Sequence, residues 1–274
     1  MFIVTGATGR LGSQIVDRLL ERVPATAVGV SVRDVDNAAA LAARGVRVRA
    51  GDFTDPDTLA HAFEGAEQVL VISASIRGDG AITANHAALD AARAAGADRI
   101  VYTSHQAAAA DSLFDPQRVH AAAEAHLAEL GVPFVALRNG FYAATLERFA
   151  GEARASGRLV APEDGPFSWT AHEDLAEVAA IAMTSTALEG VTPPLTAPDT
   201  LDLGDVAQLL GVERVVLPDD EWTAAAIGRG LPADLAEFTL GMFRAARRGE
   251  FAVTDPTLER LLGRPATPVS AVLN

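Results

Sequence analysis

Gly6, Gly9 and Gly12 stand three residues apart at the end of an apolar, β-branched opening, Phe2-Ile3-Val4-Thr5, and lead straight into a helical pattern. Leu11, Ile15, Val16, Leu19 and Leu20 recur on one face of that helix. A strand, a glycine turn and a helix in this order restrict the chain severely. One glycine permits a left-handed turn, one leaves room for a phosphate against the backbone, and one lets the helix sit close on the sheet. The unpaired N–H groups at the start of such a helix favour an anion. The segment Gly6-Ala7-Thr8-Gly9-Arg10-Leu11-Gly12 is therefore expected to hold a dinucleotide pyrophosphate, since the flanking strand and helix supply the context that a bare glycine triplet lacks.

The rhythm continues along the chain. Ala27 to Arg33 reads as a second strand, Asp36 to Arg44 as its helix and Val46 to Gly51 as a third strand. A helix is expected to open at Asp55, capped by that carboxylate with Pro56 in the first turn. Gln68 to Ser73 reads as a fourth strand, followed by an alanine-rich helix ending near Gly96. Arg99 to Ser104 is the fifth, Pro116 to Leu130 a helix capped by Asp115, and Pro133 to Arg138 the sixth. Nearly continuous apolar strands alternating with helices predict a parallel sheet covered on both faces, a Rossmann-like doubly wound α/β fold of strand order 3-2-1-4-5-6. After Asn139 the rhythm breaks, leaving one more helix, His172 to Thr186, and a candidate last strand, Pro194 to Pro198. The expected division is a nucleotide-binding domain, 1–140 with about 172–199, and a smaller C-terminal substrate lobe, about 141–171 with 200–274.

Composition removes several functions. With 22 basic and 36 acidic side chains the net charge is −14, which opposes broad binding to nucleic acid or an anionic membrane. No cysteine is present, which excludes thiol chemistry and thiolate metal sites. Every basic residue is arginine, so any mechanism that needs a lysine is excluded. No stretch of 18 apolar residues suggests a membrane span. A strand at the very start leaves no targeting segment and points to a cytoplasmic protein. The expected partner is a small molecule, and a homodimer is compatible with the sequence.

Arg33 lies 21 positions after Gly12, where an acidic residue would accept from the ribose hydroxyls of NAD. A guanidinium there pairs instead with a 2′-phosphate, with Arg10 as a second contact, and the neighbouring Asp34 and Asp36 read as caps of the next helix. NADP(H) is the expected cofactor. Asp52 is read either as an acceptor for the adenine amino group, beside Phe53, or as a simple turn aspartate. Ser73, Ala74 and Ser75 at the end of the fourth strand are expected along the cofactor.

The Val4-Thr5-Gly6-Ala7-Thr8-Gly9-Arg10-Leu11-Gly12 turn, Val32-Arg33, Tyr102-Thr103-Ser104, Leu137-Arg138-Asn139-Gly140-Phe141-Tyr142 and the C-terminal Leu261-Leu262-Gly263-Arg264-Pro265 resemble the NmrA-like branch of atypical short-chain dehydrogenases. Within it the chain is similar to bacterial NAD(P)H:quinone oxidoreductases of type 2. The resemblance implies NADPH lying across the strand ends, with Asn139, Phe141, Tyr142, Ala143 and Ala144 close to its nicotinamide half. It also implies a catalytic Tyr-x-x-x-Lys pair on the helix after the fifth strand, but here Ala121 and Ala125 are expected at the two positions. Carbonyl reduction and epimerisation thereby lose their acid–base machinery. Quinone reduction does not, because a reduced quinone is a stabilised phenolate that water can protonate.

Two candidate catalytic groups remain. Tyr142 reads as a donor to a quinone oxygen or as a buried tyrosine bonded to the backbone, and His105 as a donor to substrate or a loop histidine. Tyr102 reads as core. His120 and His126, six apart without a carboxylate cluster, do not suggest a metal site. Phe167, Trp169, Phe238 and Met242 are expected either to line an apolar substrate pocket or to pack the small lobe. The two functions these features allow are an NADPH-dependent reductase of quinones or similar planar electrophiles, and a non-catalytic NADP-binding redox sensor.

Overall fold

In the computed structural model of the chain, residues 1–74, 76–78 and 80–273 are described. The elements alternate from the start: β1 (Phe2–Thr5), α1 (Arg10–Leu20), β2 (Val28–Val32), α2 (Ala39–Ala43), β3 (Arg47–Ala50), α3 (Asp57–Phe63), β4 (Gln68–Val71), α4 (Gly80–Ala94), β5 (Arg99–His105), α5 (Asp115–Glu129) and β6 (Phe134–Asn139). There follow β7 (Phe141–Tyr142), α6 (Leu146–Ser156), β8 (Arg158–Pro162), β9 (Trp169–Thr170), α7 (His172–Thr184), β10 (Gly190–Val191), α8 (Leu203–Leu210), β11 (Glu213–Leu217), α9 (Asp219–Gly228), α10 (Ala233–Arg247), α11 (Thr257–Leu262) and α12 (Val269–Leu273). Among the described residues seven strands form the main sheet, in the order β10-β6-β5-β4-β1-β2-β3. The expected doubly wound order is present, extended by an edge strand. β1 pairs in parallel with both β2 and β4, so the strand order reverses beside the glycine turn.

The edge strand is Gly190–Val191, not Pro194 to Pro198 as the sequence suggested. Thr192 N–H donates to the Ala136 carbonyl at 3.0 Å, the next two residues are prolines with no N–H to donate, and within the expected stretch only Leu195 makes a single parallel bridge, to Asn139. Two other local expectations also change. Asp55 does not cap α3, whose N-terminus at Pro56 has no side-chain cap; its carbonyl accepts from Thr58 Oγ1 at 2.6 Å. Asp115 is the first residue of α5 and its carboxylate is held by Arg118.

The chain divides into two compact units. The first comprises residues 1–105, 119–138 and 172–193, and the second 106–118, 139–171 and everything from Pro194 onward. Gln106 to Arg118 and Pro194 to Asp199 thus lie in the second unit, whereas the sequence reading placed them with the nucleotide-binding domain.

In the first unit, alternate strand residues feed two layers. Ile3, Val69, Val71, Ile100, Tyr102 and Ala136 pack with Leu59 and Phe63 of α3, Leu89 of α4 and Leu127 of α5. On the opposite face α1 packs against α7 through its buried Leu11, Ile15, Val16 and Leu19. The first unit also contains a buried ionic tie. Arg138 Nε and Nη2 donate to the two oxygens of Glu124, at 2.9 and 2.7 Å, and Ser104 Oγ donates to Glu124 Oε1 at 2.6 Å. One carboxylate thereby joins α5 to the ends of β5 and β6. The second unit pairs β8 with β11 and β7 with β9, and its core is aromatic: Phe114, Phe141, Phe167, Trp169, Phe243 and Phe251.

Candidate functional site

The glycine turn has the geometry its spacing implies. Gly6 has φ +60°, a conformation that side chains rarely adopt, and its N–H donates to the Ser31 carbonyl at 3.2 Å. A Cβ on Gly12 would lie 2.2 Å from the Gly6 carbonyl oxygen, so only glycine lets α1 sit this close to the turn. Gly9 is extended, φ −78° and ψ 167°, and a Cβ there would meet only the Gly6 oxygen, at 3.2 Å. Its requirement for glycine is thus open space rather than backbone strain. Gly9 caps α1 without a side chain, and no acidic residue occupies the first turn. The early N–H groups of the helix consequently face outward uncapped, an anion-binding arrangement. Thr8, Gly9 and Arg10 are exposed at this mouth, while Leu11 is buried beneath it.

Arg33 follows β2, exposed and without a hydrogen bond or ion pair to any described residue. Asp34 does not compete for it. Its two oxygens accept from Asp36 N–H at 3.0 Å and Asn37 Nδ2 at 2.9 Å, which closes the 3₁₀ turn ahead of α2. Asp52 is also committed locally: Oδ1 accepts from Thr54 N–H and Thr54 Oγ1, both at 2.8 Å, and these bonds hold its carboxyl below the usual range. The turn reading of Asp52 is therefore realised through that oxygen. Phe53 is half-buried beside it.

Beyond β4 the backbone is held open by side chains. Three successive N–H groups, of Ile72, Ser73 and Ala74, donate to Thr5 Oγ1 (2.9 Å), Thr103 Oγ1 (2.9 Å) and Asn85 Oδ1 (3.2 Å), and all three acceptors belong to buried residues. Ser75, expected along the same path, lies outside the described residues.

The exit of β5 corrects the reading of the next helix. Ala121 is half-buried and Ala125 exposed, and the α5 residues that turn toward β5 are His120 and Glu124, one position earlier and also four apart. Tyr102 Oη lies 3.2 Å from His120 Nδ1, and the His105 ring is 6.1 Å from that of His120. Desolvation lowers His120 to about 4, and desolvation followed by the neighbouring His120 holds His105 well below its ordinary value. Both imidazoles are neutral at pH 7. His126 points elsewhere, stacked on His86 at 4.1 Å with Nε2 2.8 Å from Asp90 Oδ1. Among the described residues no group of three or more His, Asp or Glu is arranged to hold a metal ion.

In the second unit, Gly140 allows the Leu-Arg-Asn-Gly segment to pass Thr170, whose Oγ1 would lie 2.1 Å from a Cβ there. Asn139 is buried, and its Oδ1 has no hydrogen-bond partner among the described residues. Burial pushes the Tyr142 hydroxyl up, opposed by a hydrogen bond with the Asn139 side chain. Phe141 and Ala143 are buried and Ala144 half-buried at the start of the following 3₁₀ turn. Phe167, Trp169 and Met242 are buried in the second unit. They are core residues, with the Phe167 and Trp169 rings stacked 4.4 Å apart and Trp169 Nε1 donating to the Leu201 carbonyl at 2.9 Å. Phe238 remains half-buried, tilted against Phe114 at 5.0 Å. A lobe this rich in aromatics fills its own interior first.

An uncapped helix start and a turn that a Cβ would close fit a dinucleotide pyrophosphate. The sequence pattern of the NAD(P)H-binding family matches residues 6–186. Quinone oxidoreductase 2 of Escherichia coli (strain K12) is 32% identical over 279 residues, covering 98% of this chain and 96% of that protein. The NAD(P)H azoreductase of Xenophilus azovorans is 31% identical over 274 residues, 97% of this chain and 94% of that one. The crystal structure of NADPH-dependent quinone oxidoreductase from Escherichia coli, complexed with NADPH, superposes with a TM-score of 0.93 at 31% identity, covering 100% of this chain and 98% of that one.

Two outcomes follow from this geometry. Replacing Gly9 with Val is expected to abolish dinucleotide binding, read by titration calorimetry, while the circular dichroism spectrum stays unchanged, because the branched side chain fills phosphate space without straining φ. The second concerns pH. Folded His120 titrates near 4 and the unfolded residue near 6.5, so between these values the unfolded chain binds more protons and stability falls as pH drops. In urea unfolding at pH 7 and pH 4.5, His120→Gln should lose less stability on acidification than the parent, by about 2 kcal/mol.

Proposed function

The chain belongs to the NAD(P)H-binding, NmrA-like family, and from that premise we propose that it is an oxidoreductase transferring a hydride from NADPH to a quinone or a similar planar electrophile. The observation that carries this reading is the glycine turn, where the Gly6 carbonyl and Gly12 leave no room for a Cβ and the start of α1 is uncapped. The turn and the first N–H groups of α1 take the pyrophosphate. Arg33, with no hydrogen bond or ion pair to a described residue, takes the 2′-phosphate and sets the preference for NADP(H) over NAD(H), with Arg10 beside the turn as a second cation. Asp52 and Phe53 flank the adenine, and Ser73, Ala74 and Ser75 run along the cofactor. In the second unit, Asn139, Phe141, Tyr142, Ala143 and Ala144 serve its nicotinamide half, where the orphaned Asn139 Oδ1 is an acceptor suited to a carboxamide N–H.

NADPH, when bound, supplies the hydride. The chain's own contribution is placement and electrostatics, because it offers no cationic proton donor on α5. There is no lysine, Glu124 is engaged by Arg138 and Ser104, and His120 and His105 are neutral at pH 7. Tyr142 and His105 are the remaining hydrogen-bond donors toward an acceptor oxygen. This suits an acceptor whose two-electron product is a stabilised anion: hydride addition gives the hydroquinone monoanion, and water delivers the proton. An unactivated carbonyl would form an alkoxide and needs general acid catalysis, typically about two to four powers of ten in rate. The relatives carry the names of oxidoreductases, which favours catalysis over a sensor role. We place the enzyme in the cytoplasm, acting on small molecules, with a second copy of the chain as its proposed partner. Among the described residues no helix is long and apolar enough to cross a membrane.

The test follows nicotinamide absorbance with NADPH and a panel of benzo- and naphthoquinones. Turnover well above the uncatalysed rate is expected with quinones and none with plain aldehydes, ketones or sugars; efficient aldehyde reduction, or no quinone turnover, would sink the proposal. Replacing His126 with Ala should change quinone turnover less than about threefold, short of the loss a true acid would cause. Arg33→Ala should weaken NADPH binding roughly tenfold or more and leave NADH nearly unchanged, since a charge-assisted phosphate contact contributes about 1.5 to 3 kcal/mol.

A further inference from the structure

The second unit contains a cleft of about 750 Å³ between α6 and α9, floored by the start of β8. Its volume is in the range of small-molecule sites, about 300 to 1,000 Å³. Two aromatic residues form its apolar side. Trp222 of α9 and Phe149 of α6 both pack edge-on against the fully buried Phe243, at 5.7 and 6.1 Å, so a common ring braces them on either side of the opening. Ala153 and Ala226 keep the space between the two helices clear.

The charge of the rim reverses that of the chain. Arg148, Arg158 and Arg229 line the cleft against the single carboxylate of Glu152, in a chain of net charge −14. Arg229 is exposed and its side chain has no hydrogen bond or ion pair to a described residue. Arg158 pairs with Glu213 at 3.1 Å and Arg148 with Glu152 at 3.9 Å, with all four side chains more than half exposed. Pairs this exposed contribute little and exchange readily for another anion. Another cleft of the same unit, about 460 Å³, has Asp199 and Asp205 in its lining and no cationic side chain. The two clefts therefore select opposite charges.

We propose that the α6–α9 cleft is a binding site for a planar aromatic anion, its ring held against Trp222 and Phe149 and its carboxylate or sulfonate held by Arg158 and Arg229. Arginine suits this task, since its fixed charge and planar fork match a three-oxygen or two-oxygen anion and also stack on rings. The assignment stands apart from the hydride-transfer reading, since each of its residues lies in the second unit and none belongs to the proposed dinucleotide contacts.

The full chain, saturated with NADP+, whose oxidised nicotinamide does not accept tryptophan emission, is titrated with 8-anilinonaphthalene-1-sulfonate, with emission excited through tryptophan. The chain has two tryptophans, Trp169 and Trp222, so the origin of energy transfer is assignable. Saturable one-to-one binding is expected, with Trp222→Phe removing most of the transfer. Because Trp222 is largely buried, the decisive variant is the exposed pair Arg158→Gln with Arg229→Gln, which should weaken binding about tenfold at an unchanged Tm. About 0.7 kcal/mol for each of the two exposed charge contacts corresponds to about threefold each and about tenfold together. The uncharged N-phenyl-1-naphthylamine should bind at least several-fold more weakly. No saturable binding, unchanged affinity in the double arginine variant, or equal affinity for the uncharged probe would each overturn the proposal.

Discussion

The close approach of the Gly6 carbonyl to the backbone of Gly12 is the contact on which the rest of the first unit depends. With 2.2 Å between that oxygen and the place a Cβ would occupy, any other residue at position 12 would push α1 away from the turn. The helix could not then bury Leu11, Ile15, Val16 and Leu19 against the sheet and α7 at the same depth. The position that allows the packing is thus also the one that directs uncapped N–H groups outward from the sheet. Core and site share one constraint, and a substitution there would damage both.

A second set of constraints operates where the strands stop pairing. Parallel neighbours diverge at their C-terminal ends, and a backbone N–H that leaves the ladder must find another acceptor or stay solvated. At β4 the acceptors are side chains: Thr5, Thr103 and Asn85 receive three consecutive N–H groups. At β5 and β6 one carboxylate, Glu124, receives a hydroxyl and a guanidinium. Buried polar groups are costly unless satisfied, so these bonds fix the exits rather than merely decorate them.

Much of this was legible in the sequence. The β-branched runs, the glycine spacing and the i, i+4 face of α1 specify strand, turn and helix because each signal is local and the chemistry at each position admits few residues. Arg33 was readable for the same reason, as a charge at a fixed distance from Gly12. Features that depend on rotation or on long-range partners were less visible. Ala121 and Ala125 were expected at the two positions of the Tyr-x-x-x-Lys pair, whereas the α5 side chains that reach β5 are His120 and Glu124; a shift of one residue turns a helix by about 100°, and the alanine-rich sequence of α5 has no sharp apolar stripe to fix its face. The seventh strand lies before Pro193-Pro194, where two missing donors interrupt the pairing and leave only a single bridge, Leu195 to Asn139, in the stretch that was expected to be the strand. Phe167 and Trp169 gave no sign in the sequence of whether they would line a void or fill it, since rings serve both purposes. The signal that was available and missed is the Glu124–Arg138 pair, a carboxylate on an alanine-rich helix and a guanidinium at the end of an apolar strand.

The absence of lysine binds these levels together. Guanidinium groups act here as structural forks: Arg99 donates to the carbonyls of Ala182, Ser185 and Leu188, and Arg214 to those of Ala161, Pro162 and Val215. A lysine has three donors on a rotating head and would serve these planar arrays less well. An arginine does not give up its proton at any physiological pH, so a chain that places all its positive charge in arginine has removed cationic acid catalysts and kept fixed anion receptors. The remaining groups able to exchange a proton at the exit of β5 are histidines that burial keeps neutral. Such a framework binds phosphates well and moves protons poorly. The reaction it suits is one in which the hydride is the only hydrogen the protein must place, and the acceptor's own electron affinity makes the rest of the step downhill.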